Sequence, residues 1–144
     1  MNASIKRLLC RPSATMVARI AVTFPFWSSG FSKLLAFDAG AAEMAAYGLE
    51  PAAVFNAATV IVQLGASALI VLGRFAWLGA AILTVFTALT IVLVHRFWAI
   101  TDEPFRTIAL HVSMEHVGII GGLIGVAALA AVQERDGRPV PRTA

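Results

Sequence analysis

Apolar residues fill most of this chain, and its polar residues gather at a few places that divide it into segments. The runs 14–37, 52–72, 75–98 and 107–132 each reach the length of about 20 residues that a helix needs to cross a bilayer. The connections between them are short, which makes neighbouring helices antiparallel. The pattern therefore predicts an all-α membrane protein, a four-transmembrane-helix up-down bundle spanning 14–132. It is preceded by a basic segment, 1–13, and followed by a polar, proline-containing tail, 133–144.

Within these spans a few residues break the apolar pattern. In the first, Pro25 lacks a backbone donor and crowds the carbonyl of Ala21, which predicts a kink. Beyond it, Ser28, Ser29, Gly30 and Ser32 suit close packing or a polar cavity, with Lys33 near the interface. The connection that follows has helix-forming composition up to Gly48, a suitable C-cap, and predicts a short surface helix. Gln63 stands almost at mid-depth of the second span. The third ends in His95, Arg96 and Trp98, and Asp102 and Pro104 suit the start of the fourth.

Composition supports the membrane assignment. The 144 residues are 59% hydrophobic and 13% charged, where a soluble domain carries roughly 25% charged residues. Mean hydropathy is +0.83. The net charge of +3 comes from basic residues flanking apolar segments, with no aromatic-interleaved patch, so nucleic acid is not an expected partner. Cys10 is the only cysteine, which excludes an intramolecular disulfide and a CxxC redox pair. Lys6, Arg7, Arg11, Arg19, Arg74, Arg135, Arg138 and Arg142 fall on one side of the bundle, and Lys33, Arg96 and Arg106 on the other. The positive-inside rule then predicts both termini in the cytoplasm.

In that topology His95, His111, Glu115 and His116 all lie in the outer half of the bilayer. An ionisable group at membrane depth usually faces a bundle interior. The fourth span is thus expected to sit among its neighbours with Glu115 as the central polar group. His111 and Glu115 are four apart and share a helix face, while His116 is turned about 100° from Glu115. One reading is a ligand and proton-handling site of Glu115, His116, His111 and His95, with Lys33 and Arg96 as charge counterparts. The other pairs Glu115 with Lys33, Arg96 or Arg106 and leaves the histidines at the interface. No metal spacing is present. Gln63 suits an interhelical hydrogen bond, and the pairs Gly118/Gly122 and Gly121/Gly125 suit packing inside the bundle or a homodimer face.

The segments FPFWSSGFSKLLAF, YGLEP, VIVQLGASALIVLGR, VHRFW and MEHVGIIGGLIGVAAL, in this order, resemble the DoxX family of small four-helix bacterial membrane proteins over residues 17–129. The family takes its name from a subunit of a thiosulfate:quinone oxidoreductase. The resemblance therefore implies an inner-membrane protein, a small subunit or accessory of a quinone-linked redox system, with quinone as its ligand. Two positions depart from the family pattern. Gln63 stands where a glutamate is typical, and Glu115–His116 where a lysine–asparagine pair is frequent. No residue pattern supports thiosulfate as substrate, and no residue is assigned as catalytic. The expected partners are the lipid bilayer, a quinone, and other membrane subunits or a second copy of the chain. The alternative is a non-catalytic structural or assembly subunit of a larger membrane complex.

Overall fold

A computed structural model describes residues 11–135; the basic segment 1–10, with Lys6, Arg7 and Cys10, and residues 136–144 lie outside the described part. The described residues form five helices: α1 (Pro12–Leu35), α2 (Phe37–Ala46), α3 (Ala52–Leu72), α4 (Ala76–Leu93) and α5 (Phe105–Arg135). Three are long and apolar enough to cross a membrane: α3, α4 and residues 105–133 of α5. The 24-residue α1 is long enough but carries Arg19, Pro25, its serines and Lys33, and it is not among these three.

The local sequence sets the helix ends. Pro12 opens α1, where a missing backbone donor costs nothing. The Glu50 carboxylate accepts the Ala52 amide at 2.9 Å at the start of α3. Gly73, at φ +71, ends α3 in the left-handed region that glycine adopts without strain. At the start of α5 it is the Glu103 carboxylate that accepts the Thr107 amide at 3.2 Å and its hydroxyl at 2.7 Å; the side chain expected there was that of Asp102. The third span closes early. The amides of Val94 and His95 both donate to the Thr90 carbonyl, and α4 stops at Leu93. His95, Arg96 and Trp98 consequently stand in the connection to α5.

The helices pack in the order α1, α3, α4, α5, each extensively against the next, with α2 lying on α3. The return contact from α5 to α1 is sparse, so the bundle is only partly closed. The core gathers Phe26, Ala66, Ile70, Ala80, Leu83, Leu123 and Val126, with Ile70, Leu83 and Leu123 fully enclosed. Two glycines allow the tightest approaches. A Cβ on Gly79 would lie 2.6 Å from the carbonyl oxygen of Ala66, so α3 and α4 meet backbone to backbone. A Cβ on Gly40 would lie 2.4 Å from Asn56 Oδ1. The enclosed Asn56 amide donates to the Phe37 carbonyl at 3.2 Å and ties α2 to α3.

Gly79→Ala must push α3 and α4 apart. Its cost should be about 1–3 kcal/mol, read as a lower melting temperature in detergent. Gly65→Ala, where an added Cβ meets nothing within 4 Å, should stay within about 0.5 kcal/mol of the parent. Equal melting of the two variants would contradict the close α3–α4 approach.

Candidate functional site

The four long helices and α2 surround a cavity of about 460 Å³. Its walls are largely apolar, with Phe26, Met44, Phe55, Val62, Phe86 and Ile119 among them. The cavity follows from the way α1 and α5 meet. They touch near one end, where Gly122 would place a Cβ 3.0 Å from Val22 and where Arg19 Nη2 reaches Gln133 Oε1 at 3.5 Å. Toward the other end, Ser29 and Lys33 of α1 and His116 and Ile119 of α5 line the cavity between them. Pro25 also lines this wall. Its missing amide leaves the Ala21 carbonyl without its usual helical donor.

Polar groups converge on the cavity from all five helices and the connections. Lys33 of α1 is paired with Glu43 of α2, holding the short helix over the mouth; the lysine side chain is 13% exposed and the glutamate 47%. From α3 comes Gln63, only 6% exposed, whose Oε1 is buried with no hydrogen-bond partner among the described residues. From α4 come Thr87 and Thr90, whose hydroxyls donate to the carbonyls of Leu83 and Thr87 one turn earlier. Such back-bonding satisfies each hydroxyl and leaves an oxygen lone pair for a ligand.

The remaining polar wall is a pair of histidines. The rings of His95 and His116 stand edge to face with centroids 4.9 Å apart and planes at 69°. His116 Nδ1 lies 2.8 Å from the Val112 carbonyl oxygen. A carbonyl only accepts, so Nδ1 carries the proton, and in the neutral ring Nε2 is an acceptor. Ser113 Oγ lies 2.8 Å from the Ala109 carbonyl and 3.3 Å from that of His95, and so ties the His95 backbone to α5. Beyond the end of α4, burial holds the His95 imidazole below its ordinary pKa, and the nearby His116 pushes the same way. A neutral imidazole at pH 7 follows.

Of the residues expected in the site, Lys33, Gln63, His95 and His116 meet at this cavity. Glu115, His111 and Arg96 do not. All three are exposed. The expectation of a central Glu115 held between helices is therefore corrected: the acid beside Lys33 is Glu43. The glycines of α5 are corrected too. Gly122 touches Val22, but Gly118, Gly121 and Gly125 have open space where a Cβ would stand. Glu43, Thr87, Thr90 and the buried Asn56 were not singled out from sequence. Asn56, polar in the first half of an apolar helix, was the one with a readable signal.

Among the described residues no group of three or more His, Cys, Asp or Glu side chains is placed to hold a metal ion. What the cavity can do is bind a mostly apolar molecule by its body and hydrogen-bond its polar end, the usual composition of a small-molecule site.

Comparison with known proteins agrees with this frame. The DoxX family model matches residues 14–96, more than half of the chain. The match takes in Lys33, Gln63 and His95 and ends before α5, so the MEHVGIIGG segment is outside it. The inner membrane protein YphA of Escherichia coli (strain K12) is 33% identical over 93 residues. That alignment covers 65% of this chain and 66%, just under two thirds, of YphA. No solved structure matches.

The unpaired Gln63 amide generates a prediction. A buried polar atom without a partner costs about 1–3 kcal/mol. Gln63→Leu, apolar and of similar size, should leave the ligand-free melting temperature unchanged or raise it by the equivalent of about 1 kcal/mol. A large drop in thermal scans would mean that Gln63 is a structural bond.

Proposed function

Because the chain belongs to the DoxX family, we propose that it is an inner-membrane protein that binds a quinone-type ring in the 460 Å³ cavity, as a small subunit or accessory of a redox system. The observation that carries this reading is Gln63. Its Oε1 is buried with no hydrogen-bond partner among the described residues, on the wall of an otherwise apolar cavity that His116 also lines. A quinone ring is apolar on its faces and polar at two opposed oxygens. Its carbonyl form accepts from the Gln63 amide, and its hydroxyl form donates to His116 Nε2 or Gln63 Oε1. His116, anchored through Nδ1, offers its other ring nitrogen as a proton acceptor for the hydroxyl form. The Lys33–Glu43 pair then closes the mouth and supplies charge near the membrane surface.

In this reading α1 crosses the membrane as well. Its 24 residues suffice, its face packs on α3, and Arg19 and Lys33 near its two ends can reach the interfaces. The bundle of 14–132 then has four spans, with both termini on the cytoplasmic side where Arg74 and most of the basic residues gather. Fusions should reveal this directly. A fluorescent protein on either terminus should fluoresce in cells, and alkaline phosphatase fused at the same points should be inactive. Active phosphatase at the C-terminus would mean an odd number of spans between a cytoplasmic N-terminus and that point.

The alternative reading, a structural or assembly subunit without a ligand of its own, is favoured by one observation, the exposure of Glu115 on an apolar helix. Ligand binding separates the two. A short-chain benzoquinone or naphthoquinone titrated into the purified protein should raise its melting temperature. Gln63→Leu and His116→Phe should each weaken binding about tenfold, the equivalent of one hydrogen bond of about 1.4 kcal/mol. Binding that is absent from the parent, or unchanged in both variants, would leave the subunit reading in possession.

A further inference from the structure

The cavity has two ways out, and they differ in chemistry. One is the mouth beside α2, where Lys33, Glu43 and Tyr47 stand and where Glu43 and Tyr47 are exposed. The other lies between α3 and α4. Phe55, Ala58 and Val62 line the cavity from α3, and Phe86, Leu89 and Leu93 line it from α4. In both helices the spacing is three and then four residues, so each trio is a ridge along one side of its helix. Since α3 packs against α4, the two ridges frame a slot. A side chain that lines a cavity and is also exposed stands where the cavity meets its surroundings. Phe55 is 40% exposed, Leu89 50% and Leu93 44%, and Ala58 is exposed as well. The slot narrows toward the close approach of Gly79 to Ala66, because Val62 and Phe86, nearer to it, are half-buried. Among the described residues lining the cavity from α1 and α5, only Pro25 is exposed.

None of the six side chains framing the slot can form a hydrogen bond. Both helices are long and apolar enough to cross the membrane, so the slot faces hydrocarbon. A polar molecule passing through it would give up its hydration with nothing in return. A hydrocarbon chain gives up nothing, because lipid tails are as apolar as leucine. The slot thus suits a molecule whose polar end reaches Gln63 while the rest of it stays in the bilayer. We propose that the cavity opens sideways into the bilayer between α3 and α4. Its ligand is then a membrane-borne amphiphile, with a polar ring at Gln63 and a hydrocarbon chain that runs out between Ala58 and Leu89. The proposal rests on the cavity as a ring-binding site. It adds the class of molecule and its path, which begins and ends in the lipid phase and not in water.

The test compares two probes on the protein in lipid nanodiscs: a benzoquinone without a chain, and the same ring carrying a decyl chain. Each dissociation constant is expressed as a mole fraction in the lipid, so that partitioning cancels. Ala58→Trp should fill the slot and weaken binding of the decyl compound by about tenfold or more, the cost of placing a chain where a side chain already stands. It should leave the chainless ring within about twofold of the parent. Val85→Trp, exposed on α4 and not lining the cavity, should change neither. In the unsubstituted protein, a decyl compound with a photoreactive group on its chain should label α3 within 55–62 and α4 within 86–93. Labelling beside Tyr47 and Leu49, or beside Pro25, would put the chain elsewhere and overturn the proposal. Equal effects of Ala58→Trp on the two compounds would also overturn it, while leaving the ring site standing. If neither compound binds the parent, the ring site itself fails and the proposal falls with it.

Discussion

The bundle is closed by one narrow seam, where Val22 of α1 packs on Gly122 of α5 and Arg19 reaches toward Gln133. Everything else about the shape follows from its position near one end. Around it the core of Phe26, Ile70, Leu83, Leu123 and Val126 is packed solid. Away from it α1 and α5 stand on opposite walls of the cavity. A Cβ at position 122 would stand 3.0 Å from Val22, so the valine would have to yield by a few tenths of an ångström.

The polar groups of the bundle fall into two classes by how they are satisfied. Thr23, Thr87 and Ser113 are buried and donate to carbonyls one turn earlier in their own helices. Asn56 binds α2 to α3 through the Phe37 carbonyl. The three hydroxyls cost little and need no ligand, whereas Asn56 Oδ1 is buried without a partner among the described residues. Gln63 is different in its place, because its buried Oε1 stands on the wall of an apolar cavity that His116 also lines. In a low-dielectric interior an unused polar group is costly, and a ligand with a polar end removes that cost. This is why the functional reading rests on Gln63 and His116 rather than on the carboxylates of the chain.

Much of the architecture was legible from residues alone. The long apolar runs predicted the helices α3, α4 and α5, because a backbone in hydrocarbon must satisfy its own hydrogen bonds. Gly48 and Gly73 marked turns, since both adopt positive φ. Lys33, Gln63, His95 and His116 stood out as polar residues in or beside apolar segments, and the fold places them around one cavity. The same logic failed for Glu115. It assumed that an acid in an apolar helix faces inward, and α5 lies at the edge of the bundle, where inward is only one side.

What the sequence determined by itself is which segments are helical, roughly where they end, and which polar residues demand an explanation. These depend on local chemistry: chain length against bilayer thickness, capping, and the cost of polar atoms in hydrocarbon. What only the tertiary structure decided is the direction each residue faces. In α5 apolar residues surround the helix on every side, so periodicity carries no information about its inner face. Whether Lys33 meets Glu43 or Glu115, and whether the glycines of α5 are filled or open, depends on the rotation of helices against one another. That rotation is set by close approaches such as Gly79 against Ala66, which join residues far apart along the chain.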